Sequence, residues 1–251
     1  MDDQEFKVYG RQIVDTAQKR GASLRLLGAV AFSIHCPSYG NFQEKAGRHF
    51  TDLDFAGFFN QSDTVRKTFE SMGFNEDREV AVVYARSRLV YNHPETGMHV
   101  DVFFDKLDFC HPIYWNGVLK LDSPTIPLAE LILEKMQIVE INEKDIIDTI
   151  MLTREHPMGD SDDETINVAR IKTLCANDWG LWRTVTKNLN KVIEISKGYR
   201  WLGEGDQQVV VGRIQELLAH IDATPKSLKW NLRSKVGDKV KWYKEVGEIS
   251  E

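Results

Sequence analysis

Arg48-His49-Phe50-Thr51-Asp52-Leu53-Asp54-Phe55, taken with His99-Val100-Asp101-Val102-Phe103-Phe104, decides how this chain is read. Residues i and i+2 of an extended strand project from the same face, so Asp52 and Asp54 would point together, and a neighbouring strand could bring Asp101 beside them. Three carboxylates on one small patch repel one another, a cost that a divalent cation among them relieves. An all-oxygen ligand set suits Mg²⁺ or Mn²⁺ rather than zinc. An ordinary pair of surface strands is the competing reading of the same residues.

Working outward, Glu5 to Arg20 places Phe6, Tyr9, Ile13, Val14 and Ala17 at helical spacing, with Gly21 to end the helix. Leu24 to Leu27 reads as a short strand, Gly28 as a turn, and Ala29 to Cys36 as a helix stopped by Pro37. The polar segment from Ser38 to Gly47 reads as a loop entering the Asp52 strand, and Thr64 to Gly73 as a further helix. Glu79 to Tyr91 and Met98 to Phe104 are β-rich runs that predict a hairpin across residues 92–97. In its second strand Val100, Val102 and Phe104 share one face, and His99, Asp101 and Phe103 the other. After Pro124 the pattern turns helical, including Leu128 to Ile141, Glu143 to Thr153, Asn177 to Lys197 and Asp206 to Asp222. Ser161 and Glu164 have the spacing of a capping box for a helix between the second and third of these. The expected organisation is an α/β (α+β) domain with a mixed sheet over residues 1–124, followed by a mainly helical domain over residues 125–251.

The 251 residues are 42% apolar and 28% charged, the composition of a globular protein. No stretch is apolar over the length a membrane-spanning helix needs, and the opening residues lack the pattern of a secretory signal, so a soluble, cytoplasmic protein is expected. Cys36, Cys110 and Cys175 are three and far apart, which argues for free thiols rather than a disulfide framework. No Walker-type phosphate loop occurs, and Gly203-Glu204-Gly205 lacks the spacing of a dinucleotide fingerprint.

The order strand, glycine turn, helix, loop, Asp-x-Asp strand and hairpin with a third Asp resembles the minimal nucleotidyltransferase fold of the DNA polymerase β superfamily. Leu27-Gly28-Ala29 matches the phosphate turn, Arg48 and Thr51-Asp52-Leu53-Asp54 the paired acids, and Val100-Asp101-Val102 the third acid. Leu133-Glu134-Lys135-Met136-Gln137, followed by Glu143-Lys144-Asp145-Ile146-Ile147-Asp148, looks like the lysine and Arg-Asp-x-x-Asp elements of the AbiEii-like nucleotidyltransferase toxins, with Lys144 where arginine is usual. The resemblance spans residues 24–148.

It implies a transferase moving a nucleoside monophosphate from an NTP such as ATP to an acceptor hydroxyl with release of pyrophosphate. Asp52, Asp54 and Asp101 would hold two Mg²⁺ or Mn²⁺ ions, with Asp101 on the nucleophile side. Gly28 and Ala29 would meet the triphosphate through backbone N–H groups, Ala29 without the hydroxyl that family members often offer there. Arg48 and Lys135 would neutralise phosphate, and Asp145 would orient Lys135. An exposed helix position would account for Lys135 or Asp145 as well, and a surface role for Arg48.

The acceptor implied is RNA such as tRNA, a protein hydroxyl or a small molecule, and the toxin-like match implies a cognate antitoxin protein as partner. From Lys226 to Lys244 seven Lys and Arg residues face one acid, Asp238, with Trp230, Trp242 and Tyr243 interleaved. Cations beside aromatic faces suit an RNA strand, while inward-packed aromatics beneath a solvated basic surface suit the same pattern. The functional alternative is a non-catalytic nucleotide-binding or interaction protein that retains this fold.

Overall fold

The computed structural model describes residues 2–38, 49–84 and 86–245. They divide into two compact units, one of residues 1–107 and 113–127, the other of residues 108–112 and 128–251.

The first unit is a mixed α/β body around a five-stranded sheet. Helix α1 (Asp3–Lys19) starts at a capping box, in which the Asp2 side chain accepts from the Glu5 N–H and the Glu5 side chain accepts from the Asp2 N–H. It buries Phe6, Ile13, Val14 and Ala17, the stripe its spacing predicts, and Gly21 turns the chain out at φ +87°. Strand β1 (Arg25–Leu27) runs directly into α2 (Gly28–His35), and β2 (Asp52–Gly57) into a short 3₁₀ turn and α3 (Ser62–Ser71). After β3 (Asn75–Glu76) and α4 (Arg78–Tyr84) come β4 (Arg88–Asn92) and β5 (His99–Phe104). The sheet order is β1-β2-β5-β4-β3, with β2 and β5 parallel and every other pair antiparallel. Residues Pro124 to Ile126 return to β1, where Leu26 donates to Pro124 O and accepts from Ile126 N, each at 2.9 Å.

Burial follows the two-residue period of the strands. Leu26, Leu53, Phe55, Val100, Val102 and Leu89 lie on one face and are fully buried. Helix α1 meets this face at Gly10, where an added Cβ would lie 3.0 Å from Leu26 Cδ2. Helix α3 contributes Phe69, stacked on Tyr91 at 4.2 Å and edge-on to Phe55 at 6.1 Å. The other face carries Asp52, Asp54, His99, Asp101 and Arg88.

The β-rich reading of Glu79 to Tyr91 is corrected in its first half, since residues 78–84 are helical and β4 begins at Arg88. Asp77 Oδ1 accepts from the N–H groups of Glu79 and Val80 at 2.9 and 3.0 Å, a local cap that overrides the strand propensity of the valines. Val82 is 87% exposed there, so no sheet neighbour rewards extending the chain.

The second unit contains α5 (Leu128–Met136), α6 (Glu143–Glu155), α7 (Val168–Asn177), α8 (Trp179–Ser196), α9 (Glu204–Ala223) and α10 (Leu228–Ser234). Its interior is built from Leu131, Ile132, Ile150, Met151, Ile171, Val185, Leu189, Val192, Ile214 and Leu217. Asn188 Nδ2 donates to the carbonyls of Met136 and Ile138 at 3.0 and 2.6 Å, satisfying acceptors that the end of α5 leaves open. The expected capping box at Ser161 and Glu164 does not form. Glu164 takes a left-handed φ of 54°, and α7 is capped by Asn167, whose side chain accepts from Arg170 N at 3.3 Å.

Buried His111 pairs through Nε2 with Thr184 Oγ1 at 2.9 Å, and the same hydroxyl accepts from Trp242 Nε1 at 3.1 Å. Burial pushes the His111 pKa below its ordinary value, against the smaller opposing attraction of Asp178. The unfolded chain therefore binds more protons here than the native one, so this group lowers stability as pH falls through about 6.5. The melting temperature is expected to drop between pH 7.5 and about 5.5 more steeply in the wild type than in His111→Gln; parallel curves would remove His111 as the source.

Candidate active site

The acid face of the first unit is assembled by strand register. Parallel pairing sets Asp54 beside Asp101 and Asp52 beside His99, while the antiparallel β1–β2 pair sets Leu27 beside Asp54. The three acids singled out in the sequence thus share one face of two adjacent central strands. Asp101 is buried at 6% exposure, and Asp52 and Asp54 are half-buried.

Gly28 is fixed by two observations. Its φ is +69°, which side chains of L-residues rarely adopt, and a Cβ there would fall 2.5 Å from Asp54 Oδ2. The backbone at the mouth of α2 therefore lies directly beneath the Asp54 carboxylate. Leu27, the N-cap of α2, supplies no side-chain acceptor, and Ala29 occupies the first turn.

Arg88 was not anticipated from the sequence. It reaches across from β4 so that Nε donates to Asp101 Oδ1 at 2.5 Å. Burial disfavours its charge, but the hydrogen bond and attraction of Asp101, with Asp54 adding to it, hold the Arg88 pKa above its ordinary value. His99 Nε2 lies 3.4 Å from Asp101 Oδ2. Thr51 Oγ1 donates to Asp52 Oδ1 at 3.2 Å. Arg48 lies outside the described residues.

Within the second unit, Lys135 lies near the end of α5 among three carboxylates. Its Nζ is 3.5 Å from Glu134, 3.4 Å from Asp145 and 3.3 Å from Asp148, which is fully buried. Asp145 serves twice, since its Oδ2 also accepts from Asn142 N at 3.2 Å in the cap of α6. The two helices are thereby tied by an ion cluster in which the lysine is the central cation. Glu134 and Asp148 stand in the sequence motif, but their closeness to Lys135 depends on how α5 and α6 pack.

Two aromatics of the basic segment, Trp230 and Trp242, are half-buried against other tryptophans. Trp179 lies 6.2 Å from Trp182 and 5.9 Å from Trp242, and Trp182 lies 5.0 Å from Trp230. Arg233 covers the Trp179 ring at 4.5 Å, Lys244 pairs with Asp108 at 2.6 Å, and Lys241 pairs with Glu245. Lys239, Lys241 and Lys244 are exposed.

No family model and no curated protein matches this chain. Among solved structures it is similar to an antigenic nucleotidyltransferase-like protein from Paracoccidioides brasiliensis, at 12% identity and a TM-score of 0.40 over 90% of this chain and 96% of that one. No helix among the described residues is long and apolar enough to cross a membrane.

Proposed function

We propose that this chain is a Mg²⁺-dependent nucleotidyltransferase that moves a nucleoside monophosphate from an NTP to an acceptor hydroxyl and releases pyrophosphate. The observation that carries the reading is the juxtaposition of Asp54, in register with Asp101, directly over the Gly28 backbone at the start of α2. The all-oxygen donors suit hard divalent ions, and the absence of a Cβ at Gly28 makes room for the Asp54 carboxylate against the backbone that opens α2. When bound, Mg²⁺ supplies the positive charge that stabilises the transferring phosphoryl group and activates the attacking oxygen.

The remaining work falls to the chain itself. Asp52, Asp54 and Asp101 would provide the ligand oxygens, and Asp101, on the nucleophile side, would help remove the proton of the acceptor hydroxyl. The first turn of α2, opened without a side-chain cap, turns its N–H groups toward phosphate oxygens. The phosphate role of Lys135 rests on the sequence resemblance, and within its own unit the lysine is held by Glu134, Asp145 and Asp148. Asp52→Asn is the first test, because it removes a ligand charge while preserving shape. Transfer that persists undiminished in this variant contradicts the assignment.

One observation favours a second reading. The 2.5 Å Arg88–Asp101 bond gives the third acid a partner without any ion, as a non-catalytic nucleotide-binding or interaction protein retaining this fold would also need. Such a protein would bind NTP without transfer, and Asp52→Asn would leave its partner interactions unchanged.

RNA is the acceptor class we favour, supported by the exposed Lys239, Lys241 and Lys244 in a segment whose Lys241 also lies against the Tyr243 ring at 5.0 Å. Replacing Lys239, Lys241 and Lys244 by Glu is expected to weaken RNA affinity and to flatten its dependence on log salt by two to three counterions, at roughly 0.7–0.9 per phosphate contact. Equal affinity and slope in wild type and variant would return the segment to plain surface.

A further inference from the structure

Arg88 has no part in the chemistry proposed above, yet it makes a short bond to one of the three acids. It pairs with Phe103 in the β4–β5 register, so it emerges on the acid face two residues along from Asp101. Its guanidinium is held from two sides, by Asp101 Oδ1 at 2.5 Å and by the Phe103 ring at 5.4 Å. The other oxygen, Asp101 Oδ2, faces His99 Nε2 at 3.4 Å, and His99 Nδ1 is itself placed 3.0 Å from Asn92 Oδ1. Asp101 Oδ1 is therefore engaged by Arg88, and Oδ2 lies within 3.4 Å of the His99 ring. Asp52 is more open, half-buried and accepting from the neighbouring Thr51 hydroxyl at 3.2 Å.

A guanidinium stays charged at every working pH, so the pair is not released by titration. An ion placed on Asp101 would meet the like charge of Arg88, bonded to Oδ1 of the same carboxylate, within a few ångströms. We propose that Arg88 is a built-in competitor for the second divalent cation. The resting protein takes one ion through Asp52 and Asp54, and Asp101 joins metal binding only when Arg88 leaves it. Polyphosphate matches the guanidinium fork as a carboxylate does, so a bound NTP provides the anion to which Arg88 moves. Arg88 is on this account a positioning residue, and the proposal rests on the nucleotidyltransferase reading given above.

The test counts Mn²⁺ ions by electron paramagnetic resonance of the free ion, with and without a non-hydrolysable NTP analogue. Wild type, Arg88→Gln, Arg88→Lys and Asp54→Asn are compared, with circular dichroism to verify folding. The wild type is expected to bind one ion alone and two with nucleotide. Arg88→Gln is expected to bind two ions without nucleotide, the second about tenfold tighter or more than in the wild type, because a charge-assisted bond no longer competes. Arg88→Lys should fall between them, keeping the charge without the fork. The wild-type count needs no variant, so a misfolded Arg88→Gln leaves the proposal testable. Two ions on the nucleotide-free wild type, or unchanged affinity in folded Arg88→Gln, overturn the role of Arg88 while leaving the metal site intact. Absence of any Mn²⁺ binding that Asp54→Asn removes overturns the nucleotidyltransferase reading, and this proposal with it.

Discussion

Gly28→Ala is expected to reduce nucleotide transfer by about 100-fold or more, the scale on which a misplacement of about 1 Å at a reacting centre is felt. Two costs coincide at this position. The backbone holds φ +69°, and the added methyl would stand 2.5 Å from Asp54 Oδ2, so either the turn or the carboxylate must shift. The conformational part alone costs about 1–2 kcal/mol of stability. Gly21→Ala separates the two effects, because φ there is +87° but a Cβ would meet nothing within 4 Å. That variant should lose stability to a similar degree and keep its activity. Equal activity losses in both variants would show that the backbone strain, and not the approach to Asp54, is what matters.

Lys135→Met is expected to destabilise the protein by about 3–5 kcal/mol, the usual consequence of removing one partner from a buried ion cluster. Glu134 and Asp148 are 4% and 0% exposed at their side chains, so neither can recover its hydration in place. Urea unfolding measures the loss, and Lys135→Arg should restore part of it by returning the charge. A change under about 0.5 kcal/mol would mean that the cluster is neutralised by other means, since surface-like substitutions fall in that range. Such a result would also weaken the case for Lys135 as a structurally anchored phosphate cation.

What could be read from the sequence follows from which signals are local. The acid pair needed only the two-residue period of a strand, and the partition of His99, Asp101 and Phe103 from Val100, Val102 and Phe104 needed nothing more. Both survive in the sheet, where one set faces the acids and the other is buried. Gly28 was legible as a turn, but its approach to Asp54 depends on the pairing of Leu27 with Asp54, which no local pattern specifies. Arg88 was missed for the same reason. Its reach to Asp101 follows from the antiparallel register of β4 on β5, and the run from Glu79 to Tyr91 concealed where that strand begins. The helix at 78–84 depends on the Asp77 side chain outcompeting valine propensity, and the absent cap at Ser161 shows the converse, a motif present without the structure it often accompanies. In the basic segment, alternation of cations and aromatics left the direction of the rings open, and Trp242 and Trp230 pack against Trp179 and Trp182.

The most direct measurement incubates the purified protein with each α-radiolabelled NTP, Mg²⁺ and separate pools of RNA, protein and small-molecule hydroxyl acceptors, beside an Asp52→Asn, Asp54→Asn control. Label entering one pool with wild type, strictly dependent on Mg²⁺ and absent with the control, is the predicted result and identifies the acceptor class. Mg²⁺-dependent NTP binding with no transfer to any pool, or transfer that the control retains, would contradict the account of a carboxylate-centred nucleotidyltransferase.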